Sequence, residues 1–280
     1  MKSRRQFIKT AGTGILAAGA GTLYGAEKLS LELDKAQDQF ALGMAGYSFK
    51  EFSVEQAIEM MKRIAVSNIS VKDFHMPLTS TQEEINSVME KFRNGGIKVY
   101  AVGVIYMTSK ESVDQAFEYA RMAGVGMIVG APDYELLPYV EKKVKSYSIR
   151  LAVHNHGPDN PLFPNATDVW NHIKDLDRGI GLCIDIGHTT RDGHDPSADI
   201  EQYIDRLYDV HIKDVDKAAK EGKTVEMGRG IIDIPKVVST LRKFKYSGKC
   251  SLEFEKDMKD PLAGIAESIG YWKGVMACGS

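Results

Sequence analysis

The sequence has few cysteines, no excess of either charge and, beyond its first residues, no long apolar run. Its 280 residues include three cysteines without any CxxC spacing, so neither a disulfide framework nor a zinc knuckle is indicated. With 36 basic and 38 acidic residues, the chain lacks the basic surplus typical of nucleic-acid binding. After the first 26 residues, no apolar stretch reaches the roughly 18–20 residues that span a bilayer. We therefore expect no nucleic-acid partner and no membrane span in the processed chain.

The first 26 residues are typical of an export signal. A basic start precedes an apolar run rich in Ala and Gly, and the small residue Ala26 closes it. Within it, SRRQFIK (residues 3–9) resembles the twin-arginine export motif. The alternative is a short amphipathic N-terminal helix. The signal predicts that residues 27–280 form the mature domain and that the protein is periplasmic or otherwise exported.

From residue 40 onward, strand-like and helix-like segments alternate with little loop between them. Eight apolar, strand-like runs lie at 40–47, 68–74, 97–104, 125–130, 148–154, 180–186, 207–213 and 249–255. Segments with helical spacing lie between them, for example at 53–66, 111–123, 166–176, 234–244 and 261–276. Ser53 with Gln56 indicates a capping box, and Asn94-Gly95-Gly96 predicts a helix end. Eight such units without a compositional break predict a single (β/α)8 TIM barrel.

Polar side chains collect at the carboxyl ends of the last four predicted strands. In DVHIKDVD (residues 209–216), for example, Val210 and Ile212 alternate with polar residues. The polar members of the four strand ends are His154, His156, Asp185, His188, His211, Lys213, Glu253 and Glu255. Active sites of TIM barrels lie at this end of the strands. Because unpaired buried charges are costly, and carboxylates with imidazoles suit Mn, Mg, Co or Zn, the pattern predicts a cavity with a divalent metal ion.

Over residues 40–277 the sequence resembles the sugar phosphate isomerase/epimerase family, the xylose-isomerase-like barrels that also include apurinic endonucleases. The resemblance rests on CIDIGHTTRDG (183–193), HIKDVD (211–216), GRGIIDIP (228–235) and SLEFE (251–255). It implies one divalent ion held by Glu, Asp, His and Glu from the fifth to the eighth strand. Asp185, His211 and Glu253 match three of these ligands. His154 stands where many members have Glu, so the implied metal ligands are His154, Asp185, His211 and Glu253.

The resemblance implies an enzyme that acts on a small-molecule carbohydrate. The expected activity is isomerisation or epimerisation of a keto- or aldo-sugar, by α-proton abstraction and enediolate stabilisation. Because His154 removes one carboxylate of the pair that the family's epimerases use, the alternative is a lyase or hydratase that acts on 3-keto-glycosides by β-elimination. A non-catalytic sugar-binding barrel stays open, and the net charge of -2 disfavours an endonuclease. Relatives often pair, so a homodimer is one expected oligomeric state.

Individual site residues have a catalytic or binding interpretation and a structural one. The catalytic candidates are Glu253, His154, His156, His188, Lys213 and Glu255. Lys213 either stabilises oxyanion charge or forms a salt bridge to Asp185 or Asp214. The substrate-binding candidates are Tyr47 with Phe49 as an aromatic wall, His75, and Arg229 in the Gly228–Gly230 turn. For these residues the alternatives are ordinary packing, a structural histidine and a turn that only sets backbone geometry.

Overall fold

Eight parallel strands close into a barrel in the computed structural model, which describes residues 40–278. In chain order they are β1 (Ala41–Ala45), β2 (Asn68–Val71), β3 (Lys98–Met107), β4 (Met127–Pro132), β5 (Arg150–His154), β6 (Ile180–Asp185), β7 (Leu207–Ile212) and β10 (Lys249–Leu252). A short antiparallel hairpin, β8 (Asp214–Val215) with β9 (Thr224–Val225), lies between β7 and β10. The predicted single TIM barrel is confirmed. The predicted export signal lies outside the described residues, and the exported location and the homodimer stay predictions.

The helices follow the strands in the order expected for this barrel. They are α1 (Val54–Arg63), α2 (Gln82–Asn94), α3 (Lys110–Met122), α4 (Leu137–Tyr147), α5 (Ala166–Ile173), α6 (Ile186–Arg191), α7 (Pro196–Tyr203), α8 (Ile234–Lys243) and α9 (Leu262–Cys278). The capping box of Ser53 and Gln56 is confirmed at the start of α1, as is the end of α2 at Asn94. The short helix α6 was not expected, and it begins directly after β6. Within residues 40–278, none of the helices has the length and apolar character of a membrane span.

The register of the strands brings their polar ends to one level. His154 pairs with Cys183, Asp185 pairs with His211, and His211 in turn pairs with Ser251. Glu253 continues this pairing beyond β10, since its backbone N–H donates to the Ile212 carbonyl at 3.0 Å. Because side chains alternate along a strand, the neighbouring aliphatic residues point to the opposite face, toward the helices.

Candidate metal centre and active site

Four side chains from four consecutive barrel strands converge at the carboxyl end of the barrel. They are His154, Asp185, His211 and Glu253, each at most 5% exposed, and one ligand atom of each lies within 4.8 Å of the other three. His154 Nε2 lies 3.1 Å from His211 Nδ1 and 3.6 Å from Asp185 Oδ2. Glu253 Oε2 lies 3.5 Å from His211 Nδ1. We call these residues the four-residue cluster.

The spacing of these donor atoms fits a shared divalent ion. Ligands about 2.0–2.2 Å from one ion, at the usual angles, lie about 3.0–3.6 Å from each other. His154 Nε2 and His211 Nδ1 lie 3.1 Å apart, where a proton on one of them forms a hydrogen bond between the rings, and a shared metal ion would take the place of that proton. Within residues 40–278, the buried Asp185 Oδ2 forms an ion pair with Lys213 Nζ at 3.0 Å but accepts no hydrogen bond, so it keeps a lone pair that a metal ion can bind. The donor set therefore fits a divalent ion in both chemistry and spacing.

Asp185 is oriented by its neighbours so that one carboxylate oxygen faces the cluster. Its Oδ1 accepts the backbone N–H of His188 at 2.8 Å and so caps α6. The backbone N–H of Asp185 donates to Asn155 Oδ1 at 2.8 Å, and Asn155 Nδ2 donates to Thr189 Oγ1 at 3.2 Å. Only Oδ2 is left for the cluster. Sequence reasoning missed this role of Asn155, although Asn155 stands between two predicted site histidines.

Lys213 places a buried ammonium group beside the cluster. Its Nζ lies 2.9 Å from Glu253 Oε2, 3.0 Å from Asp185 Oδ2 and 3.0 Å from Glu255 Oε2. Burial alone would lower the pKa of Lys213, but these carboxylates hold it well above its usual value. The lysine stem is admitted by Gly187, where an added Cβ would lie 2.3 Å from Lys213 Cγ. Lys213 therefore stays charged and is held in one position.

The carboxyl groups around Lys213 have pKa values that differ in direction. Burial would raise the pKa of Glu253, but Lys213 and His211 hold it well below its usual value. Burial would also raise the pKa of Asp185, but the charge of Lys213 outweighs it and the pKa is lowered. Burial raises the pKa of Glu255, which Lys213 opposes only in part. At neutral pH, Asp185 and Glu253 are therefore carboxylates that can bind a metal ion.

The predicted alternative partner of Lys213, Asp214, has a different role in the structure. Its Oδ2 accepts the backbone N–H groups of Gly228 and Gly230 at 2.9 and 3.0 Å. The N–H groups of this turn therefore bind the chain's own carboxylate, and a substrate contact by Arg229 stays a prediction. The Arg229 guanidinium forms a two-point salt bridge to Glu267 in α9, at 2.5 and 2.8 Å.

An open cleft of about 510 Å³ lies above the cluster. It is lined by Tyr47, Lys72, Val104, Tyr106, His154, His156, Asp159, Asn160, Pro161, His188, Glu253 and Glu255. Tyr47 thus lies where the sequence placed an aromatic wall, with the Phe74 ring 6.0 Å away. Sequence reasoning missed Lys72 and Tyr106. A groove of about 710 Å³ on the outside, between α8 and α9, has a mostly apolar lining without any predicted site residue.

Two aromatic residues predicted near the substrate form structural contacts. Phe49 is fully buried, so it does not contribute to the wall of the cleft. His75 is 6% exposed, and its Nε2–H donates to the Phe49 carbonyl at 3.1 Å. Burial lowers the His75 pKa, so the ring is neutral at pH 7. These contacts are those expected of a structural histidine, and substrate contact by His75 stays a prediction.

The tautomer of His156 is determined by its two partners. Its Nδ1 lies 3.1 Å from the His154 carbonyl, which can only accept, so Nδ1 carries the proton. The bare Nε2 accepts the hydroxyl proton of Tyr106 at 2.7 Å. Burial, with His154 nearby, lowers the His156 pKa to about 3, so the ring is neutral at pH 7. His156 thus presents an acceptor nitrogen in the cleft wall, next to a half-exposed phenol.

His188 has the opposite tautomer. Its Nδ1 lies 3.3 Å from Arg191 Nη1, and since a guanidinium only donates, Nδ1 accepts. Burial lowers the His188 pKa to about 4, so the neutral ring carries its proton on Nε2. His188 is therefore a hydrogen-bond donor at neutral pH, whereas His156 is an acceptor.

Comparison with known proteins gives one family and several relatives. The model of the xylose isomerase-like TIM barrel family matches residues 54–275. Inosose dehydratase of Bacillus licheniformis is 23% identical over 80% of this chain and 72% of its own. SgbU of Escherichia coli, which carries the provisional name L-ribulose-5-phosphate 3-epimerase, is 27% identical over 80% of this chain and 85% of its own.

One further relative matches over less of the chain, and one solved structure is similar in fold. The rhizopine catabolism protein MocC of Rhizobium meliloti is 28% identical over 41% of this chain, which spans only 40% of MocC. Among solved structures, the apo form of the E. coli 3-keto-D-glucoside 4-epimerase YcjR aligns with a TM-score of 0.69 at 14% identity, over 84% of this chain and 99% of its own. This last likeness concerns the fold alone.

Proposed function

The chain belongs to the xylose isomerase-like TIM barrel family, and on that premise we propose that it is a divalent-metal-dependent sugar isomerase or epimerase. Its substrate is a small carbohydrate with a keto or aldehyde group. The reaction removes the proton from the carbon next to that carbonyl, stabilises the enediolate and returns a proton. Relatives of this chain are named as an epimerase and as a dehydratase.

One observation carries this proposal: the four-residue cluster lies buried at the floor of an open cleft. His154, Asp185, His211 and Glu253 would hold the ion, which suits Mn, Mg, Co or Zn. One divalent ion would balance the charges of the Asp185 and Glu253 carboxylates, and the Lys213 ammonium lies beside both of them and beside Glu255. When bound, the ion supplies Lewis-acid polarisation of a substrate carbonyl.

Lys213 stabilises the negative charge that develops on the substrate oxygen. Its ammonium is held beside two of the proposed metal ligands, at 2.9 and 3.0 Å, and is nearly inaccessible to bulk water. A fixed charge in such a dry site acts more strongly than in water and does not have to reorient during the reaction.

Two proton-transfer groups line the cleft. Glu253 is a carboxylate at neutral pH, and His156 presents an unprotonated Nε2 that is hydrogen-bonded to Tyr106. Glu253 and His156 come from different strands. We propose that one of them removes the substrate proton and releases it to solvent, and that the other takes up a proton from solvent and delivers it to the opposite side of the enediolate. In many members of the family the second proton acceptor is a Glu on the fifth strand. This chain has His154 at that position, and His156 would act as the acceptor instead.

A second candidate function is β-elimination by a lyase or dehydratase, with a 3-keto-glycoside as the substrate. The specific observation in its favour is the tautomer of His188, whose Nε2–H donor could protonate a departing oxygen. The family also includes an inosose dehydratase at 23% identity to this chain. Elimination needs one base and one acid, which Glu253 and His188 would provide.

The experiment is proton NMR in D2O with Mn²⁺- or Mg²⁺-loaded protein and a panel of aldoses, ketoses and 3-keto-glycosides. We expect deuterium at the carbon beside the carbonyl together with a new sugar isomer. Release of the anomeric substituent or of water would instead establish elimination. Glu253→Gln should abolish exchange, whereas Glu226→Gln, which removes a carboxylate paired with Lys256, should not. Absence of exchange with every carbonyl sugar would overturn the proposal.

A further inference from the structure

A second cavity adjoins the cleft on the side of the β8–β9 hairpin. Its volume is about 410 Å³, and its lining includes His188, Arg191, Thr224, Glu255 and Asp257. His188 and Glu255 line both cavities. A molecule held above the four-residue cluster can therefore extend past these two side chains into the second space. We call it the distal cavity.

We propose that the distal cavity binds the glycosidic substituent of the substrate, so that the natural substrate is a glycoside or oligosaccharide and not a free monosaccharide. This inference rests on the proposed function, because that function places the carbonyl-bearing ring at the four-residue cluster. The glycosidic bond would then lie between His188 and Glu255.

The chemistry of the distal cavity suits an uncharged polyhydroxyl group. Its charged side chains are largely neutralised within the chain: Lys256 pairs with Glu226 at 2.8 Å, and Arg191 pairs with Asp159. What remains is a mixture of donors and acceptors, including the Thr224 hydroxyl and the Asp257 carboxylate. A neutral sugar unit satisfies such a lining without bringing in a charge.

Arg191 provides an independent observation. Its Nη2 donates to Asp159 Oδ2 and to the Lys220 carbonyl, but its buried Nε–H has no hydrogen-bond partner within the described residues. An unsatisfied buried donor is costly, and because Arg191 lines the distal cavity, a small shift of its side chain would let a ligand hydroxyl accept from this N–H. Because Asp159 lines the cleft and Arg191 lines the distal cavity, their ion pair also marks the boundary that a two-unit substrate crosses.

The test compares two ligands that share one ring: methyl 3-keto-α-D-glucoside and 3-keto-trehalose. Solvent deuterium exchange gives kcat/KM for each, and saturation-transfer NMR with unoxidised trehalose and methyl glucoside reports binding without reaction. Thr224→Trp fills the distal cavity, and Lys223→Trp is a second variant should the first not fold. Ser239→Trp, on the exposed side of α8, is the matched control.

We expect wild type to prefer 3-keto-trehalose by about tenfold or more, and each filling variant to lose that preference while the methyl glycoside changes less than about twofold. Ser239→Trp should leave both values unchanged. If the filling variants change kcat/KM equally for both ligands, or change it for neither, the inference is overturned. If neither ligand and none of the free sugars of the panel exchanges deuterium, the proposed function fails. In that case loss of trehalose binding only in the filling variants still supports the distal cavity, and unchanged binding refutes it.

Discussion

Replacing Lys213 by methionine removes a buried positive charge while keeping most of the side chain's length. The ammonium contacts Asp185 and Glu253 at 3.0 and 2.9 Å, and all three residues are at most 5% exposed. Methionine can still occupy the space beside Gly187. The substitution therefore isolates the loss of charge from the loss of packing, and it leaves two buried carboxylates without that cation.

The expected cost follows from this burial. Breaking a buried ion pair from one side costs about 3–5 kcal/mol, and we apply this to Asp185 and Glu253 but not to Glu255, whose side chain is about one-third exposed. For a domain of this size, the change corresponds to a lower Tm by about 6–20 °C. Because the pKa values of Asp185 and Glu253 are lowered in the folded state, their stabilisation is present above their unfolded pKa and is lost as pH falls. The deficit of Lys213→Met should therefore be larger at pH 7.5 than at pH 4.

Urea unfolding in the presence of a chelator, at both pH values, measures this difference. The matched control is Lys256→Met, because Lys256 forms an equally short ion pair with Glu226 at 2.8 Å but is 36% exposed. A surface pair of this kind contributes about 0–1 kcal/mol. A Lys213→Met cost below about 1 kcal/mol, or one equal to that of Lys256→Met, would refute the buried-cation reasoning.

Three further predictions follow from single contacts. Gly187→Ala places a Cβ 2.3 Å from Lys213 Cγ, so we expect a loss of about 1–3 kcal/mol in urea unfolding and slower deuterium exchange, and wild-type kinetics would contradict this. Tyr106→Phe removes the hydroxyl that donates to His156, so exchange should slow by about tenfold while stability changes by less than about 1 kcal/mol; the reverse pattern would assign Tyr106 a structural role. Burial raises the pKa of Asp199 to about 6, so folding loses stability as pH rises from about 4 to 6. Asp199→Asn should therefore raise the free energy of unfolding by about 1–3 kcal/mol at pH 7.5 but not at pH 4, and equal shifts at both pH values would exclude this origin.

The sequence predicted the barrel and the four-residue cluster because both depend on strand periodicity. Alternation places His154, Asp185, His211 and Glu253 on one face of four consecutive strands, and parallel pairing with the observed register brings the ends of neighbouring strands together. The position of Lys213 follows from the same alternation, two residues after His211.

The sequence said least about residues in the loops that follow the strands. His75 and Arg229 each follow a strand closely enough to suggest the active site, but loop geometry turns them toward Phe49 and Glu267. Periodicity contains no information about these turns. Tyr106 was missed for a related reason, because β3 extends to Met107, beyond the predicted end at residue 104, and carries Tyr106 to the wall of the cleft.

Metal stoichiometry tests the central claim most directly. The experiment uses three proteins: wild type, Asp185→Asn and Asp209→Asn. Each would be stripped with a chelator, reloaded with Mn²⁺ and dialysed, and its bound Mn²⁺ would be measured by elemental analysis. Asp209 is the control because it is an equally buried aspartate of the barrel whose carboxylate accepts from the Tyr100 hydroxyl at 2.7 Å. We predict about one equivalent in wild type and in Asp209→Asn, and a large loss in Asp185→Asn. A wild type that retains no Mn²⁺, or an Asp185→Asn variant that binds as well as wild type, would contradict the assignment of the cluster as a metal site.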